Sequence, residues 1–101
     1  MRSIYWDEAS KRFGRIIMIK IYGMPSCPDC QVIAPQVMQH LDRYQPNDIG
    51  SDVRVMKEFL RLRDTNPAFD EAKMNGNIGI PCFVLEDGAV TLDPKDAGLC
   101  L

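Results

Sequence analysis

Hydrophobic and polar positions alternate along this chain in two periods. The longest apolar run, Ile16 to Tyr22, is rich in β-branched residues and is closed by Gly23 and Pro25, which predicts a first strand. From Pro28 to Tyr44 the period changes. Ile33, Val37, Leu41 and Tyr44 recur at helical spacing, which predicts a helix with Pro35 inside it as a kink. "QPNDIG" is weak strand material, and Pro46 confines any strand there to a sheet edge. Asp52 to Arg63 predicts a second helix, with Val53, Met56 and Leu60 on one face and Val55, Phe59 and Leu62 beside them.

Punctuation residues divide the second half. Asn66 followed by Pro67 is a cap-plus-proline helix start, predicting a short helix to about Lys73. "NGNIG" is a loop. Cys82 to Leu85 and Ala89 to Leu92 predict two strands joined by an "EDG" turn, and Asp93–Pro94 repeats the cap-plus-proline start for a last short helix. The order is β-α-β-α-(α)-β-β-α. Its opening predicts a parallel βαβ unit and its closing hairpin adds antiparallel strands, so the expected class is α/β with a mixed sheet. Residues 1–15 fall outside the pattern. They form an N-terminal extension of unknown role, in which Tyr5, Trp6 and Phe13 suit a short amphipathic helix. Residues 16–101 form the expected domain.

Composition narrows the picture. With 101 residues, 46% hydrophobic and 26% charged, the chain is one small globular domain. Its net charge of -2 and lack of any basic run point away from nucleic acid and anionic membranes. Lys20 interrupts the longest apolar stretch, which is too short to span a bilayer. Asp7 and Glu8 stand where a signal peptide would be apolar, so a cytoplasmic location is expected. In that compartment cysteine patterns more often signal catalysis or metal than structural disulfides.

The candidate chemistry is "CPDC". Cys27 falls between the first predicted strand and the helix after it, and Cys30 follows one helical turn on. Ligands of open α/β sheets gather at the carboxyl ends of strands. A thiol at a helix start also meets unpaired N–H groups and the positive end of the helix dipole, which favour the thiolate that attacks disulfides. Cys27 is therefore the expected nucleophile and Cys30 the resolving thiol, with Pro28 suited to the first helical turn. Two readings compete. The cysteines can be packed thiols without redox function. They can also be half of a zinc site, for which Cys82, Cys100 and His40 are the remaining ligands, although Cys82 and Cys100 do not form a second close pair.

A second motif, "IGIPCFVL", places Pro81 at the entry to a strand, which suggests a cis bond or a forced turn. With the first strand and the Cys82 strand as neighbours, Pro81 lies beside Cys27. The Ile80 backbone then faces an incoming peptide and can pair with it as an added strand. Tyr22, at the end of the first strand, is a candidate border of the site, with packing as its other reading. Asp29 opposes a thiolate at Cys27 by like charge. Cys82 is either a third redox thiol or a small core residue.

"CPDC" and "GIP", in this order and topology, resemble the thioredoxin superfamily, and within it the glutaredoxins, over nearly everything from Ile16 to Leu99. The resemblance implies a thioredoxin fold, β-α-β-α-β-β-α, with a four-stranded mixed sheet flanked by helices. It implies thiol–disulfide exchange on protein disulfides or glutathione mixed disulfides, with Cys27 as nucleophile, Cys30 as resolving cysteine and Pro81 as the family's cis-proline. Ile80, Pro81, Pro28 and Tyr22 would border the substrate or glutathione. No bound cofactor is expected. Glutathione would be a co-substrate, and electrons would come from it or from a flavin-dependent thiol reductase acting on a monomer. Pro35, five residues after Cys30, and "GIPCFVLEDG" are similar to thioredoxins instead. Ser26 replaces the thioredoxin tryptophan. Met24 stands where many glutaredoxins carry a lysine, Asp29 replaces an aromatic, and "TLDPKDAG" replaces the glycine-pair and aspartate motif. Lys73, Arg61 and Arg63 are candidate replacement charges for a glutathione carboxylate, or else solvated helix charges. Other class readings are an iron–sulfur module bridged through Cys27 and glutathione, and a thioredoxin-fold adaptor without turnover.

Overall fold

A computed structural model of the chain describes residues 18–100. The expected N-terminal helix with Tyr5, Trp6 and Phe13, and Ile16 of the first predicted strand, lie outside the described residues. The elements are β1 (Ile19–Gly23), α1 (Pro28–Gln39), β2 (Tyr44–Asp48), α2 (Val53–Thr65), a 3-10 turn (Pro67–Phe69), α3 (Asp70–Met74), β3 (Cys82–Val84), β4 (Val90–Thr91) and a closing 3-10 turn (Pro94–Ala97).

The four strands form one sheet in the order β2-β1-β3-β4. β1 pairs parallel with β2, while β3 runs antiparallel to both β1 and β4. The chain is thus an α/β protein with a mixed open sheet. Pro46 lies on β2, an edge strand, as a residue without an N–H requires. No helix among the described residues is long and apolar enough to cross a membrane.

Alternation along β1 and β3 sends side chains to both faces of the sheet. Ile19, Ile21 and Phe83 join Ile33 and Val37 of α1, Tyr44, Ala97 and Leu99 in one core. Tyr22 and Cys82 join Ile49, Phe59 and Phe69 in a second core beneath α2. The sheet is therefore covered on both sides, and its two central strands, β1 and β3, each contribute to both cores.

Three sequence expectations change. The first helix ends at Gln39 instead of Tyr44. His40 leaves helical geometry, and its carbonyl accepts the N–H groups of both Arg43 and Tyr44, which turns the chain into β2. Tyr44 kept the helical spacing because the strand buries it in the same core as α1, where its hydroxyl donates to the Ala97 carbonyl at 2.6 Å. On α2 the face turned to the core is Val55, Phe59 and Leu62, with Met56 alongside. Val53 and Leu60 are exposed, at 68% and 41%. Two adjacent apolar stripes compete on this helix. The one carrying Phe59 wins because its ring fits between Tyr22 and Phe69, with centroids 6.3 and 5.7 Å away. The last element is a 3-10 turn instead of an α-helix. Gly98, at φ 81, ends it after four residues.

Candidate functional site: a dithiol at a strand–helix junction

The site forms where β1 hands over to α1. After Gly23 the chain turns, and the Cys27 N–H donates to the Met24 carbonyl at 3.1 Å. Gln31 braces the turn by donating from its side chain to the Pro25 carbonyl at 2.8 Å. Cys27 is the N-cap of α1, with extended backbone, and Pro28 begins the helix. The cap is the thiol itself, since the Cys30 N–H donates to the Cys27 Sγ at 3.4 Å. Serine, threonine, aspartate and asparagine fill this position in most helices. A sulfur that takes their place accepts one of the four otherwise unpaired N–H groups of the helix start.

The two thiols face different surroundings. Cys27 lines an open groove of about 1310 Å³, together with Ser26, Pro28, Asp29, Ile80 and Pro81. Cys30 instead lines a smaller apolar cavity of about 390 Å³ behind it, walled by Ile33, Ala34, Val37 and Met38 of α1 and by Pro46. Burial pushes the Cys30 thiol up to about 12, and its hydrogen bond with Cys27 acts in the same direction. Both cysteines are free thiols.

Pairing of Tyr22 with Cys82 brings β3 alongside β1, as the sequence predicts. That register carries Ile80 and Pro81 to the cysteines. The Ile80–Pro81 peptide bond is cis. The Ile80 carbonyl lies 3.9 Å from the Cys27 Sγ, close enough for the thiol to donate weakly to it. Cys27, Cys30, Pro28, Ile80 and Pro81 are therefore gathered in one place.

Tyr22 lies apart from them. It is 3% exposed in the second core, and its hydroxyl donates to Glu58 at 2.9 Å. Burial, then that bond, raises the phenol above its usual range. Cys82 is fully buried on the same side of the sheet, and burial alone pushes its thiol up to about 12. Cys100 is exposed near the C-terminus, and its backbone bonds reciprocally with the Gln36 side chain. His40 is an exposed residue at the end of α1. Among the described residues, no three of histidine, cysteine, aspartate and glutamate converge as a metal site.

Two residues gain roles that the sequence reading missed. A Cβ added at Gly23 would lie 2.8 Å from the Cys30 Sγ, so glycine there makes room for the second thiol. A glycine closing an apolar strand four residues before a cysteine is the available signal, since such a glycine often marks a close approach. Arg63 donates to the carbonyls of Ile78 at 2.8 Å and Asn77 at 2.9 Å, clamping the loop that ends in Ile80–Pro81. No local pattern announces that contact, which joins residues far apart in the chain. Met24 lies against Gly50, where an added Cβ would be 2.8 Å from its methyl group.

Fold and site together define an α/β protein with a mixed open sheet and a free dithiol at the junction of its central strand and first helix. No family model and no solved structure matches the chain. A protein of Haemophilus influenzae described as uncharacterized is 42% identical over 77 residues, covering 72% of this chain and 85% of the relative. The chain belongs to the family of that Haemophilus influenzae protein.

Proposed function

We propose that the protein is a thiol–disulfide oxidoreductase of thioredoxin-like fold and glutaredoxin-like type, acting through Cys27 and Cys30. One observation carries this reading. Cys27 caps α1 through its sulfur, opens on a groove and sits 3.9 Å from the carbonyl that precedes the cis Pro81. Packed structural thiols have no need of that placement, and among the described residues no further ligands gather beside the pair for zinc. The strand order, with a parallel β1–β2 pair and an antiparallel β3–β4 hairpin, suits a thioredoxin-like fold.

In the first step the Cys27 thiolate attacks one sulfur of a substrate disulfide. A Cys27–substrate disulfide forms, the substrate's own S–S bond breaks, and the departing thiolate takes a proton from solvent. Cys30 then loses its proton and attacks the Cys27 sulfur. This closes the Cys27–Cys30 disulfide and releases the substrate as a second thiol. The substrate gains two electrons and the protein loses two. Glutathione or a flavin-dependent dithiol reductase returns them. Cys27 acts first because it opens on the groove, whereas Cys30 lines the apolar cavity behind it, where burial favours its thiol form. A reducing compartment such as the cytosol keeps the resting pair as dithiol.

The test is turnover of a glutathione mixed disulfide and of insulin, each with glutathione plus its reductase and with thioredoxin reductase. Cys27→Ser should abolish every reaction. Cys30→Ser should retain only the single-thiol reaction on glutathione adducts. Full turnover by Cys27→Ser would refute the mechanism.

A further inference from the structure

We propose that the groove beside Cys27 selects disulfides borne by basic polypeptide segments, with lysine or arginine flanking the reacting cysteine, over anionic thiols such as glutathione. The inference rests on the redox reading above and adds a substrate class to it.

Apart from Cys27, the ionisable side chains that line the groove are Asp29, Glu71 and Asp93, and no lysine, arginine or histidine is among the lining residues. They come from three places in the fold: the first turn of α1, the start of α3, and the N-cap of the closing 3-10 turn, two residues beyond β4. Their convergence is thus a property of the groove and not of one segment. No described residue offers a cation or hydrogen-bond donor to the carboxylates of Asp29 and Glu71. The Asp93 carboxylate accepts the Lys95 N–H, at 3.0 Å. Arg63, whose partners Asn77 and Ile78 form part of the groove wall, directs its guanidinium to their carbonyls and does not itself line the groove.

The walls between these charges are apolar. Val32 and Ile78 are each 54% exposed, and Ile80 and Leu92 continue the lining. Low-dielectric walls around charges of one sign focus the field into the cleft and raise the encounter rate of the opposite charge. The reacting state adds a negative charge, because the attacking group is a thiolate. A cation beside the substrate cysteine stabilises both the approach and the charge spread over three sulfurs during exchange. Glutathione brings two carboxylates and one ammonium, and meets the opposite effect. Apolar walls and a groove of about 1310 Å³ also leave room for several residues of an extended chain.

The test uses two short synthetic peptides of the same sequence except for the residues flanking a single cysteine, lysine in one and glutamate in the other. Each is prepared as a mixed disulfide with 2-mercaptopyridine, as is glutathione. Release of pyridine-2-thione by the reduced full-length protein gives a rate constant for each, divided by the rate with dithiothreitol to remove intrinsic differences in reactivity. The lysine peptide should react about 10-fold or more faster than the glutamate peptide at an ionic strength of about 0.01 M. That ratio should approach one at about 1 M salt. It should also fall in the Asp29→Asn/Glu71→Gln double variant. Any change in Cys27 reactivity in that variant cancels in the ratio. Equal rates in the unaltered protein, or a ratio that the double variant leaves intact, would overturn the selectivity while the redox function stood. If no substrate reacts faster than with Cys27→Ser, the redox reading fails and the selectivity with it.

Discussion

Gly23→Ala isolates the packing of the second thiol. The new Cβ would lie 2.8 Å from the Cys30 Sγ and 3.7 Å from its Cβ. The second distance is ordinary contact and the first is an overlap. Gly23 ends β1 and is not among the glycines at positive φ, so alanine fits the backbone. Without the sulfur, the substitution should stabilise the fold by about 0.4–1 kcal/mol, through lower entropy of the unfolded chain. With the sulfur present, overpacking should cost about 1–3 kcal/mol. The sign of the effect therefore depends on one atom. Urea denaturation of four proteins reads it: unaltered, Gly23→Ala, Cys30→Ala and the double variant. Gly23→Ala should destabilise in the presence of Cys30 and be neutral or stabilising beside Cys30→Ala. That is a coupling of about 1.4–4 kcal/mol, formed from the two ranges just given. An equal loss in both backgrounds would mean that the sulfur is not what Gly23 accommodates, and the position assigned to Cys30 would be wrong.

Two further outcomes follow from the packing. Burial raises the folded-state affinity of Cys82 for its proton to about 12, above that of an unfolded cysteine near 9. Its share of stability is therefore complete below pH 9 and is lost as pH climbs toward 12. Chemical denaturation across that window should give a stability slope of about -1.4 kcal/mol per pH unit from this one group, and Cys82→Ala should remove that much of the slope, whatever it costs at neutral pH; an unchanged slope would refute the linkage. On α2, Phe59→Ala should cost about 3–5 kcal/mol and Leu60→Ala within about 0.5 kcal/mol. Comparable losses in urea denaturation would return the core-facing stripe to Leu60.

The elements that carry the site are the ones whose causes are local. Asn66 and Asp93 cap their elements through the backbone N–H two residues on, as their place before a proline predicts, and Asp52, predicted as the first residue of its helix, caps it in the same way. Pro28 and Pro67 occupy first-turn positions, where a missing N–H removes nothing. Glu86–Asp87–Gly88 turns the hairpin with Gly88 at φ 90. What escaped a periodicity argument is where two elements share one core. Tyr44 satisfies a helical spacing and a strand equally well, because β2 turns it into the same core that Ile33 and Val37 of α1 fill. The α2 stripes could not be separated without knowing that Tyr22 and Phe69 wait on either side of Phe59.

The site shows the same division. The placement of its thiols is local, in that a sulfur can cap a helix only at the helix start, and "CPDC" after Gly23 and Pro25 says as much. Its surroundings are not local. Glu71 and Asp93 lie far from Cys27 in sequence, and tertiary structure, including the β1–β3 pairing, brings them to the groove that Cys27 lines. Arg63 was a candidate for an exposed anion-binding charge, and tertiary contact instead directs it to two backbone carbonyls. Arg63 keeps its charge but turns its donors to the backbone of the wall, so the ionisable side chains that line the groove, apart from Cys27, are Asp29, Glu71 and Asp93. The two thiols are thus placed within one turn of helix, whereas the carboxylates that line the groove beside Cys27 come from three separate parts of the chain.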